Sequence, residues 1–559
     1  MQTKNNNNDF LVQGSILAVA SIIVRLIGLL YRIPMQRIIG DEGMGYYGYA
    51  FEVYNIALIL SSYSLPLAVS KLVSARSINK EYKNSYRVFL SGMCLAIVVG
   101  LSASLILFFG ADWFATTISN SPNSALPLKV LAPTIFIFSI MGVLRGFYQG
   151  KNTMIPTSIS QVIEQIVNAA VSIIASYLLV INYSASEKVA SYGAAGGTLG
   201  TFLGALSSLL FLLVVYMLYK PILKKQLRRD KTPHHESYQN IFKILIITIL
   251  PIILSQTVYQ ISGIIDHTMF GHIMDGKKVS GFELEIIKNI IPNQLYTEDI
   301  RSSLMGIYGS KYRVLTNIPV AIASAIGAAI VPSIAASLMQ ENYKQIKEKV
   351  HAAIKFNMII AIPSAVGMGV LASPILQLIF KDNYKLSANL LRVGAAAIIF
   401  FAFSTVTNAI LQGINKLHIP VIHSIISLVV HIILLFILLK FTNLSTFALV
   451  ICNVLFALLV SILNWISLAS HLNYTQEIHK TFILPTVSSV FMGIITYLTY
   501  KVIHILTNIN SISTLTALVV AVMVYFITLV VFKGLTEEEI MAVPKGNVII
   551  KILRKIRLI

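Results

Sequence analysis

Long apolar runs separated by short polar connections recur along the whole chain. Their hydropathy places fourteen candidate spans at residues 12–39, 46–74, 88–110, 126–148, 156–181, 190–219, 241–273, 304–337, 352–380, 386–413, 418–441, 444–470, 479–504 and 512–533. Runs of this length cross a hydrocarbon core about 30 Å thick as helices, which satisfy their own backbone polar groups inside the bilayer. The pattern predicts an all-α integral membrane protein with about 14 transmembrane helices.

Composition strengthens this prediction and narrows the function classes. The 559 residues are 56% hydrophobic and only 12% charged, whereas a soluble domain has about 25% charged residues. Cys94 and Cys452 both lie in apolar segments, without the spacing of a disulfide framework or a metal site. The first apolar run is too long for a removed signal peptide, so we expect it to be the first span.

The net charge of +20 could indicate a nucleic-acid partner, but the positions of the basic residues indicate membrane topology instead. These residues concentrate after spans two, six and eight and in the tail: Lys71, Arg76, Lys80, Lys83, Arg87, Lys220, Lys224, Lys225, Arg228, Arg229, Lys231, Lys344, Lys347, Lys349, Lys355, Lys545, Lys551, Arg554, Lys555 and Arg557. Residues 274–303, after span seven, contain four basic and five acidic residues. Because cytoplasmic loops carry the basic excess, we expect both termini in the cytoplasm, with membrane lipids and no nucleic acid as partners.

An internal repeat divides the spans into two groups. The stretch "LRGFYQGKNTMIPTSISQVIEQIV" from Leu144 and the stretch "TNAILQGINKLHIPVIHSIISLVV" from Thr407 share a Gln-Gly pair, a following Asn and an Ile-Pro. The Gln-to-Pro distance is seven residues in the first copy and eight in the second. Each copy lies between the fourth and fifth spans of a six-span unit, so the two units have the same orientation in the membrane.

The repeat predicts a specific domain organisation. We expect an N-lobe at 1–219, a basic cytoplasmic linker at 220–240, a C-lobe at 241–470, two appended helices at 471–533 and a basic cytoplasmic tail at 534–559. In span six, the glycine-rich run "GAAGGTLGTFLG" predicts a close helix–helix contact. Two lobes related by an axis along the membrane normal suit a transporter with its site between them.

Span one carries arginines where few charges are tolerated. A guanidinium at the bilayer centre costs about 2.5 to 3.5 kcal/mol on insertion scales, and such residues face protein or water. Arg25, Gly28 and Arg32 follow each other at intervals of three and four residues, which places them on one helix face. The alternative is that Arg32, like Arg37 one turn further on, extends to the outer headgroups.

Two further cations open span eight, and together with span one they indicate an anionic ligand. Arginine recognises phosphate through planar, bidentate hydrogen bonds, and a low dielectric strengthens them. We therefore predict a cationic cavity that binds the substrate through five residues, Arg25, Gly28, Arg32, Lys311 and Arg313.

The acidic and amide residues inside the spans have two possible roles. Ser160, Gln161, Glu164 and Gln165 form one polar face of span five, which we expect to point into the bundle. Glu52, Gln161, Glu164 and Asp266 are predicted to support the site or couple transport. The alternative is that Glu52 and Glu164 only neutralise neighbouring arginines, and that Asp266 is either an ion or proton site or a salt-bridge partner.

Sequence motifs for catalysis do not occur in the chain. It contains no GxxxxGK[ST], HExxH or GxSxG, which are the signatures of phosphate-binding loops, zinc proteases and α/β-hydrolase nucleophiles. We therefore expect a protein that is not an enzyme and binds no cofactor. Uphill transport would draw on an ion gradient, on the membrane potential or on consumption of the product outside.

Three stretches resemble the MOP exporter superfamily, and within it the MurJ-type lipid II flippases and the stage V sporulation protein B-like polysaccharide transporters. They are "GSILAVASIIVRLIGLLYRIPMQRIIGDEGMGYYGYA", "LPLAVSKLVSA" and "RGFYQGKNTMIPTSISQVIEQIV". The resemblance implies fourteen helices in two lobes, alternating access, and an undecaprenyl-pyrophosphate-linked sugar as substrate. In MurJ-type members, spans one and eight hold essential arginines, which match Arg25, Arg32 and Arg313 here. Tyr31 and Arg32 stand where that family tends to have an Arg-Asp pair.

The resemblance implies a flippase for a cell-wall glycan precursor, with lipid II as the first candidate. The protein is expected to act as a monomer and to associate with the cell-wall synthesis machinery. Two alternatives stay open: a MATE-like small-molecule exporter, which needs an acidic and aromatic cavity, and a membrane-embedded glycan-modifying enzyme, which needs clustered acids or histidines at the interface. The sequence leaves the glycan head group and the coupling ion open.

Overall fold

The computed structural model describes residues 20, 23–230, 232, 235–279, 295–535, 537, 541 and 550. In these residues the chain forms seventeen α-helices, and the only β-structure is one isolated bridge between Lys278 and Leu295. The helices are α1 (Arg32–Leu58), α2 (Leu65–Ile78), α3 (Tyr82–Trp113), α4 (Ala125–Gly150), α5 (Ile155–Asn182), α6 (Val189–Arg229), α7 (Tyr238–Ile273), α8 (Glu298–Gly306), α9 (Arg313–Met339), α10 (Tyr343–Val370), α11 (Ala372–Phe380), α12 (Lys385–Gly394), α13 (Ala396–Gly413), α14 (His418–Phe441), α15 (Thr446–Leu472), α16 (Leu484–Thr507) and α17 (Asn510–Val531).

The helices confirm the predicted all-α membrane fold. Among the described residues, 12 helical segments are long and apolar enough to cross a membrane, and they coincide with the predicted spans two to six and eight to fourteen. Helix α7 occupies the predicted seventh span. Of the predicted first span, residues 12–19, 21 and 22 lie outside the described part, and residues 23–30 are helical.

Two kinds of irregularity interrupt the long helices. At the junction of spans one and two, Gly40 has φ +70°, a left-handed conformation that glycine adopts without steric cost. π-helical turns occur at Ile59–Tyr63, just before Pro66, and at Ile307–Tyr312, just before α9. Such turns change the direction of the following side chains and are frequent at functional sites. The first of these turns interrupts predicted span two, and the second interrupts predicted span eight.

The described chain divides into two compact units. Unit 1 comprises Met1–Gly276 with Tyr296–Ser310, and unit 2 comprises Lys277–Leu295 with Lys311–Ile559. Helices α1 to α8 belong to unit 1 and α9 to α17 to unit 2. Helix α7 therefore lies with unit 1, although the sequence placed its span at the start of the C-lobe. The predicted lobe boundaries at 219 and 241 stay predictions.

Contacts at both ends attach α7 to the rest of unit 1. At its N-terminal end, the Glu236 carboxylate accepts hydrogen bonds from Arg76 at 2.8 and 2.5 Å, and Arg87 donates to the Glu236 carbonyl at 2.6 Å. At its C-terminal end, the Asn120 side chain donates to the Gly271 carbonyl at 3.0 Å. These bonds join the segment before α7, and its last turn, to α2, α3 and the loop before α4.

Helices α5 and α6 meet along a seam of glycines and serines. A Cβ atom on Gly196 would lie 2.5 Å from the Ser176 backbone nitrogen, so only glycine allows this approach. The Ser172 hydroxyl donates to the Gly197 carbonyl at 2.8 Å, and the Ser176 hydroxyl donates to the Gly193 carbonyl at 2.9 Å. The close packing that the glycine-rich run predicted is confirmed, and it places the polar face of α5 inside unit 1.

The repeated sequence motif forms the same turn in both units. Helices α4 and α13 end at the glycine of the motif, and the following asparagines, Asn152 and Asn415, have φ values of 59° and 62°. In the first copy, the Thr153 N–H bonds to the carbonyl five residues earlier at 3.2 Å, and the corresponding bond of Lys416 is 2.9 Å. The shared Gln-Gly and Asn residues thus encode one C-terminal helix cap with a left-handed residue.

Each copy of this turn also packs against the corresponding helix. A Cβ atom on Gly150 would lie 2.7 Å from Val73 of α2, which is the end of span two. A Cβ atom on Gly413 would lie 3.0 Å from Ile334 of α9, which is the end of span eight. Spans two and eight are six apart, so this packing supports the six-span repeat.

Candidate functional site

The first-span segment of unit 1 runs beside α5. Arg25 is exposed, while Gly28 and Arg32 are half-buried. A Cβ atom on Gly28 would lie 3.1 Å from the Gln165 side-chain nitrogen. Arg25, Gly28 and Arg32 share one helix face by their spacing, and Gly28 brings this face up to α5. The structure therefore places Gly28 next to the polar face that the sequence identified in span five, and the spacing puts Arg25 and Arg32 on the same side of the first-span helix.

The polar residues of α5 divide between two neighbours. Ser160 and Glu164 contact α4, as described below, and Gln165 faces the first-span segment. The side-chain amide oxygen of Gln161 is buried and accepts no hydrogen bond from the described residues. The side-chain hydroxyls of Thr157 and Ser158 are also buried and have no hydrogen-bond partner among these residues. Buried polar atoms normally have partners. The first turns of α5 therefore offer hydrogen-bonding capacity that a polar ligand or water would satisfy.

Arg145 of α4 is the residue of this region that the sequence analysis missed. Its guanidinium donates to the Ser160 hydroxyl at 2.9 Å, to the Glu164 carboxylate at 2.7 Å and to the Ser208 hydroxyl at 3.0 Å. The two charged side chains are only 11% and 20% exposed. Glu164 thus neutralises an arginine, as one of the two alternatives held. An arginine inside an apolar span, directly before the Gln-Gly motif, was the signal that could have identified it.

Two tyrosines, Tyr31 and Tyr47, lie near Arg32 in unit 1. The Tyr31 and Tyr47 hydroxyls lie 3.2 Å apart, and the Tyr47 ring packs against Phe51 with ring centroids 4.4 Å apart. Arg32 lies close enough to Tyr47 for its charge to act on the phenol group. Aromatic and hydroxyl groups therefore accompany the first-span arginines within unit 1.

Glu52 of α1 and Asp266 of α7 lie close together in unit 1. The Glu52 carboxylate packs against Gly263, one helical turn before Asp266. The Asp266 carboxylate is buried and accepts a hydrogen bond from the Tyr308 hydroxyl at 3.1 Å. The adjacent His267 bonds through Nδ1 to the Gly263 carbonyl at 2.8 Å. The structure groups these titratable residues, and their predicted role in support or coupling stays a prediction.

Lys311 and Arg313 belong to unit 2 and have their own surroundings. The Lys311 amine donates to the Asp382 carboxylate at 2.6 Å, and both side chains are at most 5% exposed. Its nitrogen also lies 5.6 Å from the centre of the Tyr384 ring. Arg313 is half-buried at the first turn of α9. The sequence analysis did not foresee the Asp382 partner, which lies 71 residues away along the chain.

The described residues contain no group of three or more His, Cys, Asp or Glu side chains that could hold a metal ion. Around the first turns of α5 in unit 1, the polar groups are the Arg145 guanidinium, amides, hydroxyls and the paired carboxylate of Glu164. Arginines and neutral donors are suited to binding an anion.

Two family profiles match the chain. The profile of a family described as "Polysaccharide biosynthesis protein" matches residues 11–338, and one described as MatE matches residues 305–437. The chain is 26% identical over 491 residues to the lipid II flippase MurJ of Bacillus subtilis, covering 86% of each chain. It is 24% identical to the stage V sporulation protein B of the same organism, covering 97% of this chain and 99% of that one.

Solved structures of the MOP superfamily share the fold. A lipid II flippase MurJ in an inward closed conformation gives a TM-score of 0.65 at 15% identity and covers 92% of this chain and 98% of that one. An inward-facing multidrug resistance MATE family transporter gives a TM-score of 0.60 at 16% identity and covers 80% of this chain and 95% of that one. At such identities the likeness shows the architecture and leaves the cargo to be argued from the site.

Proposed function

We propose that this chain, which belongs to the polysaccharide biosynthesis protein family of the MOP exporter superfamily, is a flippase for an undecaprenyl-pyrophosphate-linked cell-wall glycan. Lipid II is the substrate that we propose first, because a relative named as a lipid II flippase covers 86% of the chain. The protein would carry the head group from the inner to the outer leaflet by alternating access.

One observation of the site carries this proposal. Arg25 is an exposed guanidinium on an apolar helix, and a glycine three residues later brings that helix against the amides of α5. No hydrogen bond or ion pair joins Arg25 to another described residue, and the nearby carboxylate of Glu164 is already bonded to Arg145. A pyrophosphate supplies the anionic oxygens that a guanidinium binds.

The lipid-linked substrate explains why the protein needs polar groups on only part of its surface. The prenyl tail is as apolar as the bilayer and can stay in it, while the charged head crosses beside the polar residues. Without protein groups, a charged head would face the hydrocarbon core alone, which is costly. In our proposal Arg25 and Arg32 of unit 1 hold the pyrophosphate, and Gly28 brings their helix up to the Gln165 amide. The sequence analysis adds Lys311 and Arg313 of unit 2 as further candidates.

The energy source and the orientation are part of the proposal. The sequence holds no ATP-binding loop, so we propose coupling to an ion gradient or to the membrane potential, with Glu52 and Asp266 as the titratable candidates. Both termini would lie in the cytoplasm, as the basic loops indicate. A monomer is sufficient, because one chain supplies both six-span units.

The MATE-like exporter is the second candidate, because a MatE profile matches residues 305–437 and MATE structures share the fold. Such an exporter requires acidic groups that attract cationic drugs. In the first-span region of unit 1, the acid of α5 is neutralised by Arg145 while Arg25 is exposed. This charge balance favours an anionic cargo.

The function can be tested in bacteria depleted of their own lipid II flippase. The wild-type chain, Arg25→Ala and Arg37→Ala are expressed at matched levels, and labelling of lipid II at the outer leaflet is measured. Arg37→Ala is the matched control, because this exposed arginine lies three turns further along the same span.

We expect lipid II exposure with the wild type and with Arg37→Ala, and loss of exposure with Arg25→Ala. Normal exposure with Arg25→Ala would contradict the role of the arginine. A well-expressed wild type that restores nothing would contradict lipid II as the cargo, and the accumulating undecaprenyl-linked glycan would then identify another one.

A further inference from the structure

Lys151 has an unusual environment in the turn between α4 and α5. Its amine nitrogen is buried and has no hydrogen-bond acceptor among the described residues. The nitrogen lies 5.1 Å from the centre of the Tyr82 ring and 5.7 Å from that of the Phe147 ring. A cation above aromatic rings gains some electrostatic stabilisation, but an ammonium group has three donors, and here they have no acceptor.

The rings belong to a larger aromatic cluster at the same end of unit 1. Phe147 packs against Phe89 at 4.7 Å between ring centroids and against Tyr219 at 6.2 Å. Phe89 in turn stacks on Tyr216 at 5.6 Å. Lys151 therefore covers an apolar, aromatic surface, and it does so on the side of the membrane that the sequence predicts to be cytoplasmic.

The fold itself does not require a charge at this position. In the second copy of the turn, the residue between the glycine and the asparagine is Ile414, which is buried at 7% exposure. Both copies have the same helix end, at Gly150 and Gly413, and the same left-handed asparagine two residues later. An apolar side chain thus satisfies the structural demand, and the buried amine of the first copy costs stability that Ile414 does not.

We propose that Lys151 is a phosphate-binding residue on the cytoplasmic side of unit 1, which takes the phosphate of a lipid at the membrane surface. Its long side chain rotates away from the Tyr82 ring and presents the amine to the phosphate oxygens. Lysine binds phosphate as a compact point charge, and the phosphate accepts the hydrogen bonds that the described protein does not.

Two lipids carry this chemistry at the inner leaflet, an anionic phospholipid and the pyrophosphate of a lipid-linked glycan. The phosphate site stands on the geometry of Lys151 alone. Its use in loading the glycan substrate rests on the proposed function. In that case Lys151 would hold the head group before it reaches the first-span arginines.

The electrostatics of Lys151 provide a measurable signal. Burial lowers the pKa of the Lys151 ammonium to about 8, since desolvation disfavours the charged form. A bound phosphate stabilises the charged amine and therefore raises this pKa. It also protects the amine from acylating reagents, which react with the neutral form.

The test uses the purified full chain in phosphatidylcholine nanodiscs. Trace labelling with acetic anhydride, followed by mass spectrometry, reports the reactivity and pKa of each lysine. The labelling is repeated with geranylgeranyl pyrophosphate, with geranylgeraniol, which has the same tail without phosphate, and in nanodiscs that contain phosphatidylglycerol. Lys416, in the second copy of the turn, is the internal control.

We expect an added anionic lipid, in contrast to the zwitterionic phosphatidylcholine of the nanodisc, to reduce Lys151 labelling by roughly tenfold, the effect of one hydrogen bond to a charged group. Geranylgeraniol should leave Lys151 labelling unchanged, and Lys416 should respond to none of the additions. Protection by geranylgeranyl pyrophosphate alone identifies the prenyl pyrophosphate as the source, and protection by phosphatidylglycerol identifies the phospholipid. Equal labelling in all four conditions, or equal protection by geranylgeraniol, would overturn the proposal.

A variant separates this site from the proposed function. Lys151→Ile copies the second turn and should bind geranylgeranyl pyrophosphate or phosphatidylglycerol roughly tenfold more weakly, while Lys416→Ile binds as the wild type does. Unchanged binding by a folded Lys151→Ile would overturn the proposal and leave the flippase proposal standing. Conversely, protection of Lys151 in a chain that exposes no lipid II in cells would contradict lipid II as the cargo and leave the phosphate site standing.

Discussion

The two copies of the repeated helical hairpin, α4–α5 and α13–α14, share the same turn after the Gln-Gly pair and differ in chemistry. Aligned on the Gln-Gly pair before the turn and on the Ile-Pro after it, Arg145 corresponds to Asn408, Lys151 to Ile414, and Glu164 to Leu428. Both turns have the same left-handed asparagine. The first hairpin thus carries three charges at positions where the second carries none, so the fold does not need them.

The second hairpin replaces the ion pair with a neutral network. The Asn464 amide donates to the Asn408 side chain at 2.8 Å and to the Thr407 hydroxyl at 2.9 Å, and its oxygen lies 2.7 Å from Nδ1 of His423. Buried amides that satisfy each other fix helix positions without charge. The first copy thus joins its two helices through an ion pair, where the second copy uses hydrogen bonds between amide, hydroxyl and imidazole groups.

Removal of the arginine from the first hairpin should have the largest effect. Arg145→Asn leaves Glu164 largely buried without its cation, and we expect a loss of about 3 kcal/mol in unfolding free energy. The double variant Arg145→Asn with Glu164→Leu copies the second hairpin and should regain most of that stability. Thermal unfolding of the purified variants in detergent measures both. A single variant as stable as the wild type would show that the pair is not needed to hold α4 and α5 together.

A glycine contact gives the next largest effect. A Cβ atom on Gly146 would lie 2.5 Å from the Pro66 carbonyl oxygen, whereas the corresponding residue of the second hairpin is Ala409. Gly146→Ala should therefore cost about 1 to 3 kcal/mol through overpacking. The reverse change, Ala409→Gly, should cost only about 1 kcal/mol in helix propensity. Equal losses in thermal unfolding for both variants would show that α4 approaches α2 less closely than the structure has it.

Lys151→Ile should stabilise the protein by about 1 kcal/mol, because it removes a buried amine without an acceptor. The gain should depend on pH. The Lys151 pKa is about 8 in the folded chain against 10.5 for an ordinary lysine, so the unfolded chain binds more protons between these values and wild-type stability rises with pH across them. The difference between the two proteins should therefore shrink from pH 8 to pH 10.5.

Thermal unfolding of wild type and variant across this pH range checks the expectation, with Lys416→Ile as the control that changes little at any pH. A Lys151→Ile variant that is less stable than the wild type at pH 8 would show that the aromatic rings stabilise the charged amine more than burial penalises it.

The smallest effect concerns Glu236 and Glu477, the acidic residues that follow predicted spans six and twelve. The Glu236 carboxylate accepts two hydrogen bonds from the Arg76 guanidinium, at 2.8 and 2.5 Å. The Glu477 carboxylate lies 3.4 Å from His351 Nε2, and these two side chains are 36% and 34% exposed. Glu477→Gln should therefore cost at most about 0.5 kcal/mol in unfolding free energy, while Glu236→Gln should cost more, because it weakens a bidentate pair. Thermal unfolding of both variants tests the contrast, and equal costs would contradict it.

Sequence patterns were sufficient for the features that depend on local chain chemistry. Span positions follow from hydropathy, the turn of the repeat follows from Gln-Gly and Asn, and the α5–α6 seam follows from the glycine run. Each is a property of a short segment, so a single sequence displays it. The arginine strip of span one was predicted in the same way, from residue spacing alone.

The pairings between distant segments could not be predicted. Hydropathy places a helix in the chain but does not give its rotation about its axis or its neighbours. The bonds of Arg145 with Glu164 and of Lys311 with Asp382 depend on how each helix is rotated and on which helices pack beside it. The attachment of α7 to unit 1 depends on Glu236 meeting Arg76, which is 160 residues away in the chain. The repeat alone placed that span in the other half.

The most direct test is the rate at which the purified chain moves lipid II across the bilayer of proteoliposomes, with Arg25→Gln and Arg37→Gln beside the wild type. The account predicts translocation by the wild type and by Arg37→Gln. For Arg25→Gln it predicts a rate at least about tenfold lower, because this variant cannot form one charge-assisted hydrogen bond to the phosphate. Equal rates for the wild type and Arg25→Gln would contradict the claim that the first-span arginine carries the pyrophosphate.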